Sequence, residues 1–115
     1  MIEQGLQQEI NMVMTEARNR RLEFVTVEHL LLALLNMDEV IAFLRGKRVN
    51  IDELRAELDQ YIDSHTPIIS EDAEIDIVPT VGFQRVLQRS VYQAQSAQKN
   101  SVNAMNVFVS IFSEK

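Results

Sequence analysis

The sequence of 115 residues contains no cysteine, three glycines and two prolines. The lack of cysteine excludes disulfides, thiolate metal sites and thiol nucleophiles, and it fits a reducing compartment, so we expect a cytoplasmic protein. Gly5, Gly46 and Gly82 are scattered singly, so they cannot assemble a phosphate-cradling loop. The scarcity of glycine and proline leaves long stretches that favour helix, and this length predicts a single core.

Long apolar runs and excess positive charge are also missing. No apolar stretch approaches the length of a membrane-spanning helix, and Glu3 and Gln4 stand where a secretory signal would be basic and apolar. Eleven basic against seventeen acidic residues give a formal charge of −6, which disfavours nucleic acid and anionic lipid as partners. The basic stretch at residues 18–21 is interpreted as a cationic helix end. We therefore expect a soluble protein with no nucleic-acid and no membrane partner.

The first third of the sequence has the apolar spacing of two helices. The first is predicted at residues 3–20, with its stripe at Leu6, Ile10, Val13, Met14 and Ala17. Thr26 can cap the second, in which the six residues 30–35 are all apolar. A helix with no polar face in this stretch is expected in the middle of the fold.

Two more helices are predicted before residue 65. Asp38 can open a short third helix, with Gly46 expected in the left-handed position that often ends helices. Asn50 can open a fourth, with Glu53 completing a capping box. Its apolar face is formed by Ile51, Leu54, Leu58 and Ile62.

Residues 65–79 break the helical pattern. Both prolines and four acidic residues lie here, and no apolar stripe can be drawn. We interpret the stretch as an extended linker. The alternation at residues 75–77 could be a strand-like surface segment, although two strand-period positions do not make a sheet.

The remaining chain repeats its beginning. Thr80 can cap a fifth helix, and a sixth is predicted from Asn103 to about Phe112. A constant offset of 77 matches residues 6–35 to residues 83–112 without a gap, pairing Leu6 with Phe83, Ile10 with Leu87, Met14 with Val91, Ala17 with Ala94 and Leu30 with Val107. The sequence predicts an all-α fold with a pseudo-twofold repeat: repeat one at 1–64, the linker at 65–79 and a truncated repeat two at 80–115.

The residues offer no assembled catalytic chemistry. His29 and His65 are the only histidines, and neither belongs to an H-E-x-x-H spacing. His29 falls in the first turn of the second helix, so we expect it to seat that helix rather than bind metal, with adventitious metal at Glu28 or His29 left open. No nucleophile elbow occurs. A non-enzymatic chain without a metal or cofactor of its own is expected, and an independent small enzyme is the disfavoured alternative.

Three segments carry a resemblance to a known family. They are EFVTVEHLLLALL at 23–35, GFQRVLQRSVYQAQ at 82–95 and NVFVSIFSEK at 106–115. Together they resemble the N-terminal domains of ClpA-type Clp ATPases, the AAA+ unfoldases that partner the ClpP peptidase. The TVEHLLLAL core is shared with ClpB and ClpC, whereas FQRVLQR and the IFSE ending favour the ClpA type. The last two helices and both ATPase modules of that family have no counterpart in this sequence.

The resemblance implies a fold of two four-helix repeats and a function in docking. It implies that the domain binds the adaptor ClpS and protein substrates and delivers them to the hexameric unfoldase ring and ClpP, with ATP and Mg²⁺ confined to the ATPase modules. The adaptor-binding residues carried over are Glu23, Glu28, Thr80 and Arg85. Each has a plainer interpretation, because Thr80 is also a helix cap, Glu28 a first-turn acid, and Glu23 and Arg85 ordinary surface charge. A ClpB- or ClpC-type domain that binds unfolded polypeptide or another adaptor is the alternative function.

Overall fold

The computed structural model describes residues 2–68 and 78–113 and contains six helices and two short strands in these ranges. In chain order they are α1 (Gln4–Asn19), β1 (Phe24–Val25), α2 (Val27–Leu34), α3 (Asp38–Gly46), α4 (Ile51–His65), β2 (Val78–Pro79), α5 (Val81–Ser96) and α6 (Ala104–Ser113). The all-α prediction is confirmed. The strand-like segment expected at residues 75–77 lies outside the described residues.

Two of the predicted helix starts are formed by the expected side chains. The side-chain oxygen of Asn50 accepts the backbone N–H of Glu53 at 3.0 Å, and Thr80 Oγ1 accepts the backbone N–H of Phe83 at 3.2 Å. Each bond satisfies one of the amides that a helix leaves unpaired in its first turn. Polar residues just before an apolar stripe therefore located α4 and α5 correctly.

The start of α3 agrees with the prediction and its end does not. The helix begins at Asp38 as expected, and Met37 before it occupies the cap position. The expectation that Gly46 is left-handed was wrong, because α3 continues through Gly46 and the left-handed residue is Arg48, with φ of 61°. The turn is closed by the backbone N–H of Val49, which donates to Leu44 O at 3.0 Å.

The ends of the predicted linker are more ordered than a linker requires. His65 belongs to α4, and Thr66 after it is buried. The backbone N–H of Glu23 donates to Pro67 O at 2.9 Å, and Ile68 forms an isolated bridge with Leu22. Both described ends, at 65–68 and 78–79, are therefore paired with the segment that precedes α2.

The two halves repeat each other in backbone detail. The residues that follow α1 and α5 include Arg21 and Gln98, which are 77 positions apart and take φ of 58° and 60°. Equivalent hydrogen bonds close the two turns: Leu22 N–H to Ala17 O at 3.0 Å and Lys99 N–H to Ala94 O at 2.9 Å. The offset found in the sequence is therefore the offset of the structural repeat.

The core is organised around α2, as its apolar sequence predicts. This helix contacts α1, α4, α5 and α6, and Leu30, Ala33 and Leu34 on it are almost fully buried. In the second half, α6 packs on α5 and on both α2 and α3. The repeat thus places an apolar helix from each half in the middle of one shared core, which neither half could form alone.

Candidate docking site

The starts of α2 and α5 are joined by a short pair of parallel strands. In this pair Phe24 lies beside Val78 and Val25 beside Pro79. The backbone N–H of Thr80 then donates to Val25 O at 2.9 Å. We call residues 23–28 together with 78–85 the docking corner. It is the place where two helix N-termini from different halves of the chain meet.

Three of the four residues carried over from the family lie on the joined segments. Glu23 is exposed, and its carbonyl oxygen accepts the backbone N–H of Val78 at 3.4 Å. Glu28 is half-buried in the first turn of α2, and Thr80 is half-buried as the N-cap of α5. Arg85 is exposed in the second turn of α5, farther from the strand pair. The structure therefore brings Glu23, Glu28 and Thr80 to one corner and places Arg85 along the helix that leaves it.

The two helix starts pack closely. A Cβ atom placed on Gly82 would lie 3.2 Å from Val27 Cγ2, which is tighter than ordinary van der Waals contact. The absence of a side chain at Gly82 therefore allows α5 to approach α2 at this point. This role was not predicted, because an isolated glycine inside a helical pattern indicates no particular neighbour.

Exposed apolar residues at the corner were also missed from the sequence. Val81 is 68% exposed and Val78 is 49% exposed. Neither belongs to the apolar stripe of α5 that begins at Phe83. An apolar residue next to the Thr80 cap and outside this stripe could have indicated an exposed apolar surface. The corner consequently combines the exposed Glu23 carboxylate with exposed apolar surface.

His29 fixes the start of α2 from inside the fold. Its Nδ1 lies 3.0 Å from the backbone nitrogen of Thr26 and 2.9 Å from Thr26 Oγ1. Burial lowers the pKa of the imidazole to about 4, with the Arg20 charge acting in the same direction and Asp59 opposing. The ring is therefore neutral at pH 7. The expectation that His29 seats the helix is confirmed by this contact.

A polar cleft of about 220 Å³ lies beside His29, between α1, α2 and α4. Its lining includes the carboxylates of Glu16 and Asp59 and the guanidinium groups of Arg20 and Arg55. Arg20 also forms an ion pair with Asp63, which ties α1 to α4. Within residues 2–68 and 78–113 no group of three or more acidic or histidine side chains is placed to hold a metal ion.

An apolar groove of about 470 Å³ runs between α3 and α6. The ring centroids of Phe43 and Phe108 are 5.7 Å apart, and those of Phe108 and Phe112 are 4.9 Å apart. Phe112 is 67% exposed, and the ammonium group of Lys47 lies 5.7 Å from the Phe43 centroid. The periodicity of the sequence does not locate this groove, because it does not reveal that α3 and α6 lie side by side.

The repeat produces a second corner with the same backbone connection. Ile2 forms a bridge with Val102, and the backbone N–H of Glu3 donates to Val102 O at 2.9 Å. We call residues 2–8 together with 100–105 the opposite corner. By the offset of 77, its equivalents of Glu23, Glu28, Thr80 and Arg85 are Asn100, Met105, Glu3 and Gln8. The backbone geometry is duplicated, and the side chains are not.

None of the described helices is both long and apolar enough to span a bilayer. The sequence model of the family described as the Clp repeat (R) N-terminal domain matches residues 1–115. A ClpA homolog protein of Fuscovulum blasticum is 35% identical over 111 residues, which are 96% of this chain and 14% of that protein. The chain therefore spans about one seventh of the length of this relative.

Solved structures with the same fold come from several Clp proteins. The Hsp104 N-terminal domain of Candida albicans has a TM-score of 0.83 at 12% identity, over 98% of this chain and 74% of that one. The N-terminal domain of the ClpV1 ATPase of E. coli EAEC has a TM-score of 0.80 at 13% identity, over 96% and 66%. The ClpD N-terminal domain of Arabidopsis thaliana has a TM-score of 0.71 at 18% identity, over 99% of this chain and 77% of that one. At these identities the likeness concerns the fold alone.

Proposed function

Because the chain belongs to the Clp N-terminal domain family, we propose that it is the docking domain of a ClpA-type ATPase. In this proposal it binds the adaptor ClpS and protein substrates in the cytoplasm and delivers them to the AAA+ unfoldase ring and ClpP. Catalysis, with its ATP and Mg²⁺, belongs to the ATPase modules of the parent protein. The identity of 35% with a ClpA homolog is the comparison that favours the ClpA type.

The docking corner is the observation that supports adaptor binding. Hydrogen bonds between the segments before α2 and α5 bring Glu23, Glu28 and Thr80 to one place. The exposed Glu23 carboxylate and the apolar Val81 side chain suit a neutral or basic partner surface that also carries apolar groups. Arg85 adds a cation along α5, and we assign it to the edge of the interface.

Calorimetric titration with ClpS tests the proposal. The double variant Glu23→Lys with Glu28→Lys is expected to weaken binding by about tenfold or more, because two attractive charges become repulsive. The single variants Thr80→Val and Arg85→Glu are expected to weaken it by about two- to fivefold. Wild-type affinity in the folded double variant would remove the corner from the interface.

The opposite corner supplies a matched control for this titration. Asn100 is exposed and occupies the position equivalent to Glu23. Asn100→Lys adds the same side chain on the same backbone motif, so it reports any nonspecific effect of an added cation. We expect ClpS affinity within about twofold of wild type. Asn100→Lys raises the net charge by one unit and Glu23→Lys by two, so a free-energy loss in Asn100→Lys of half or more of that in Glu23→Lys would show that net charge, rather than the docking corner, controls binding.

The apolar groove favours a second candidate function, which is binding of unfolded polypeptide as in a ClpB- or ClpC-type domain. Phe43 and Phe112 are exposed on either side of this groove. Fluorescence anisotropy with a labelled, permanently unfolded apolar polypeptide tests the alternative. Binding that is lost in Phe112→Ser and kept in the Glu23→Lys, Glu28→Lys double variant would assign polypeptide binding to the groove.

A further inference from the structure

One peptide group connects the starts of α2 and α5. The carbonyl oxygen of Val25 accepts the backbone N–H of Thr80 at 2.9 Å. The N–H of the same peptide group, which belongs to Thr26, donates to His29 Nδ1 at 3.0 Å. A planar peptide held at both its oxygen and its nitrogen has little freedom to rotate. The orientation of this group therefore depends on His29 on one side and on the cap of α5 on the other.

The imidazole can act on this peptide only as an acceptor. A backbone N–H can only donate, so Nδ1 carries no proton and the proton of the neutral ring is on Nε2. His29 is 4% exposed, and its Nε2 has no hydrogen-bond partner among the described residues. The Nδ1 contact with Thr26 is therefore the polar interaction that the described structure gives this buried ring.

We propose that His29 is the positioning residue of the docking corner: its Nδ1 orients the Val25–Thr26 peptide, and that peptide anchors the start of α5 beside the start of α2. The inference rests on the proposed function where it concerns the adaptor. His29 is buried, so it acts on a partner through the placement of Glu28 and Thr80 rather than by touching it. The bond from Thr80 to Val25 is the physical link between the two.

The second half contains the same arrangement with a different side chain. There the backbone N–H of Asn103 donates to Asn106 Oδ1 at 3.0 Å, and Val102 O accepts the backbone N–H of Glu3 at 2.9 Å. Asn106 lies 77 positions after His29. An asparagine oxygen can therefore replace the imidazole nitrogen in this geometry. What the peptide requires is a side-chain acceptor three residues after the cap.

This equivalence defines the variants. His29→Leu keeps an apolar side chain of similar bulk and removes the acceptor, whereas His29→Asn restores an acceptor of the kind found at Asn106. Asn106→Leu removes the equivalent acceptor at the opposite corner and serves as the matched control. A general loss of stability would affect the two leucine variants alike. If His29 positions the docking corner, His29→Leu alters that corner and Asn106→Leu does not.

Amide hydrogen exchange gives the first measurement, and it needs no partner. In His29→Leu we expect the amides of Thr26 and Thr80 to exchange about tenfold faster relative to the Leu34 amide. In His29→Asn they should remain within about threefold of wild type, and Asn106→Leu should instead accelerate Asn103 and Glu3. Unchanged protection of Thr80 in His29→Leu would overturn the proposal.

ClpS titration gives the second measurement. We expect about fivefold weaker binding for His29→Leu, rescue to within about twofold by His29→Asn, and no more than about a twofold change for Asn106→Leu. Equal losses in the two leucine variants, or no rescue by asparagine, would overturn the positioning role. If wild type itself does not bind ClpS, the proposed function fails and the exchange measurement still decides whether His29 sets the corner.

Nitrogen-15 NMR of the histidine ring covers the case in which His29→Leu does not fold. In the wild-type protein at pH 7 we expect the His29 ring to carry its proton on Nε2, with an Nδ1 shift that indicates a hydrogen-bond acceptor. A proton on Nδ1 would exclude the bond from Thr26 and overturn the proposal without any variant.

Discussion

The docking corner and the opposite corner share a backbone and differ in the side chains they present. At the docking corner, Val25 O accepts the backbone N–H of Thr80, which precedes α5. At the opposite corner, Val102 O accepts the backbone N–H of Glu3, which precedes α1. The docking corner has the carboxylates of Glu23 and Glu28, and the equivalent residues of the opposite corner are Asn100 and Met105. The repeat accounts for the backbone, and residues outside the apolar stripes distinguish the two corners.

The features that the two corners share are those that packing requires. The side chains that differ between them are the ones that a partner can recognise. Both corners need an acceptor for the cap amide, and His29 and Asn106 meet that need with different chemistry. Exposed single charges contribute under about 1 kcal/mol to the stability of a fold, so packing does not explain the carboxylate at Glu23. Substitutions at equivalent positions in the two halves therefore separate the contribution of packing from that of partner recognition.

The largest expected effect comes from the central helices. Leu34 is fully buried, whereas its equivalent Ile111 is only half-buried. We expect Leu34→Ala to lower the free energy of unfolding by about 3 to 5 kcal/mol and Ile111→Ala by about 1 to 2 kcal/mol. Urea denaturation followed by circular dichroism measures both. Equal costs would mean that α2 is no more central than α6.

Acid should destabilise the protein through His29. The pKa of this ring is about 4 in the folded protein and 6.5 ordinarily, so the unfolded chain binds more protons between these values. The contribution of His29 to the free energy of unfolding is therefore fully present above about pH 6.5. It is lost as the pH is lowered to about 4, by as much as about 3 kcal/mol. Denaturation at a series of pH values, with His29→Asn as the reference, isolates this contribution. An identical pH dependence in both proteins would refute the shift.

A pair of equivalent glycines should respond differently to a methyl group. A Cβ on Gly82 would lie 3.2 Å from Val27 Cγ2, whereas a Cβ on Gly5 would lie 4.0 Å from Met37 Cε, which is ordinary van der Waals contact. Alanine is favoured over glycine in helices, so Gly5→Ala should stabilise the protein by about 0.5 kcal/mol. Gly82→Ala should stabilise the protein less or leave its stability unchanged, because Val27 must move to make room for the methyl group. Melting temperatures of the two variants, measured together, test the difference.

The smallest expected effect concerns the charges themselves. Glu23 and Asn100 are both exposed, so Glu23→Lys and Asn100→Lys should each change the free energy of unfolding by no more than about 0.5 kcal/mol. Thermal denaturation of the two variants checks this. A cost above about 2 kcal/mol for Glu23→Lys would indicate that the side chain supports the fold and would weaken its assignment to docking.

Features that depend on short-range pattern could be predicted from the sequence. The stripe from Leu6 to Ala17, the caps at Asn50 and Thr80 and the offset of 77 all appear in the structure. Local spacing dictates such features, because a helix buries one face and leaves its first amides unpaired. Gly46 shows the limit, since residue preference did not locate the turn that Arg48 makes.

The docking corner could be predicted only in part. The resemblance supplied Glu23, Glu28, Thr80 and Arg85, and their adaptor role remains a prediction. The bond from Thr80 to Val25, the approach of Gly82 to Val27 and the exposure of Val81 depend on contacts between distant segments. Such contacts leave no periodic signal in the sequence, so only the folded chain reveals them.

One NMR titration shows directly whether the adaptor binds one of the two equivalent corners. Nitrogen-15-labelled domain is titrated with unlabelled ClpS, and amide shifts are followed at both corners. We expect the perturbed amides to cluster at residues 23–28 and 78–85, with those at 2–8 and 100–105 unmoved. Perturbations centred on the opposite corner, or on the groove at Phe43 and Phe112, would show that the adaptor does not bind at the docking corner.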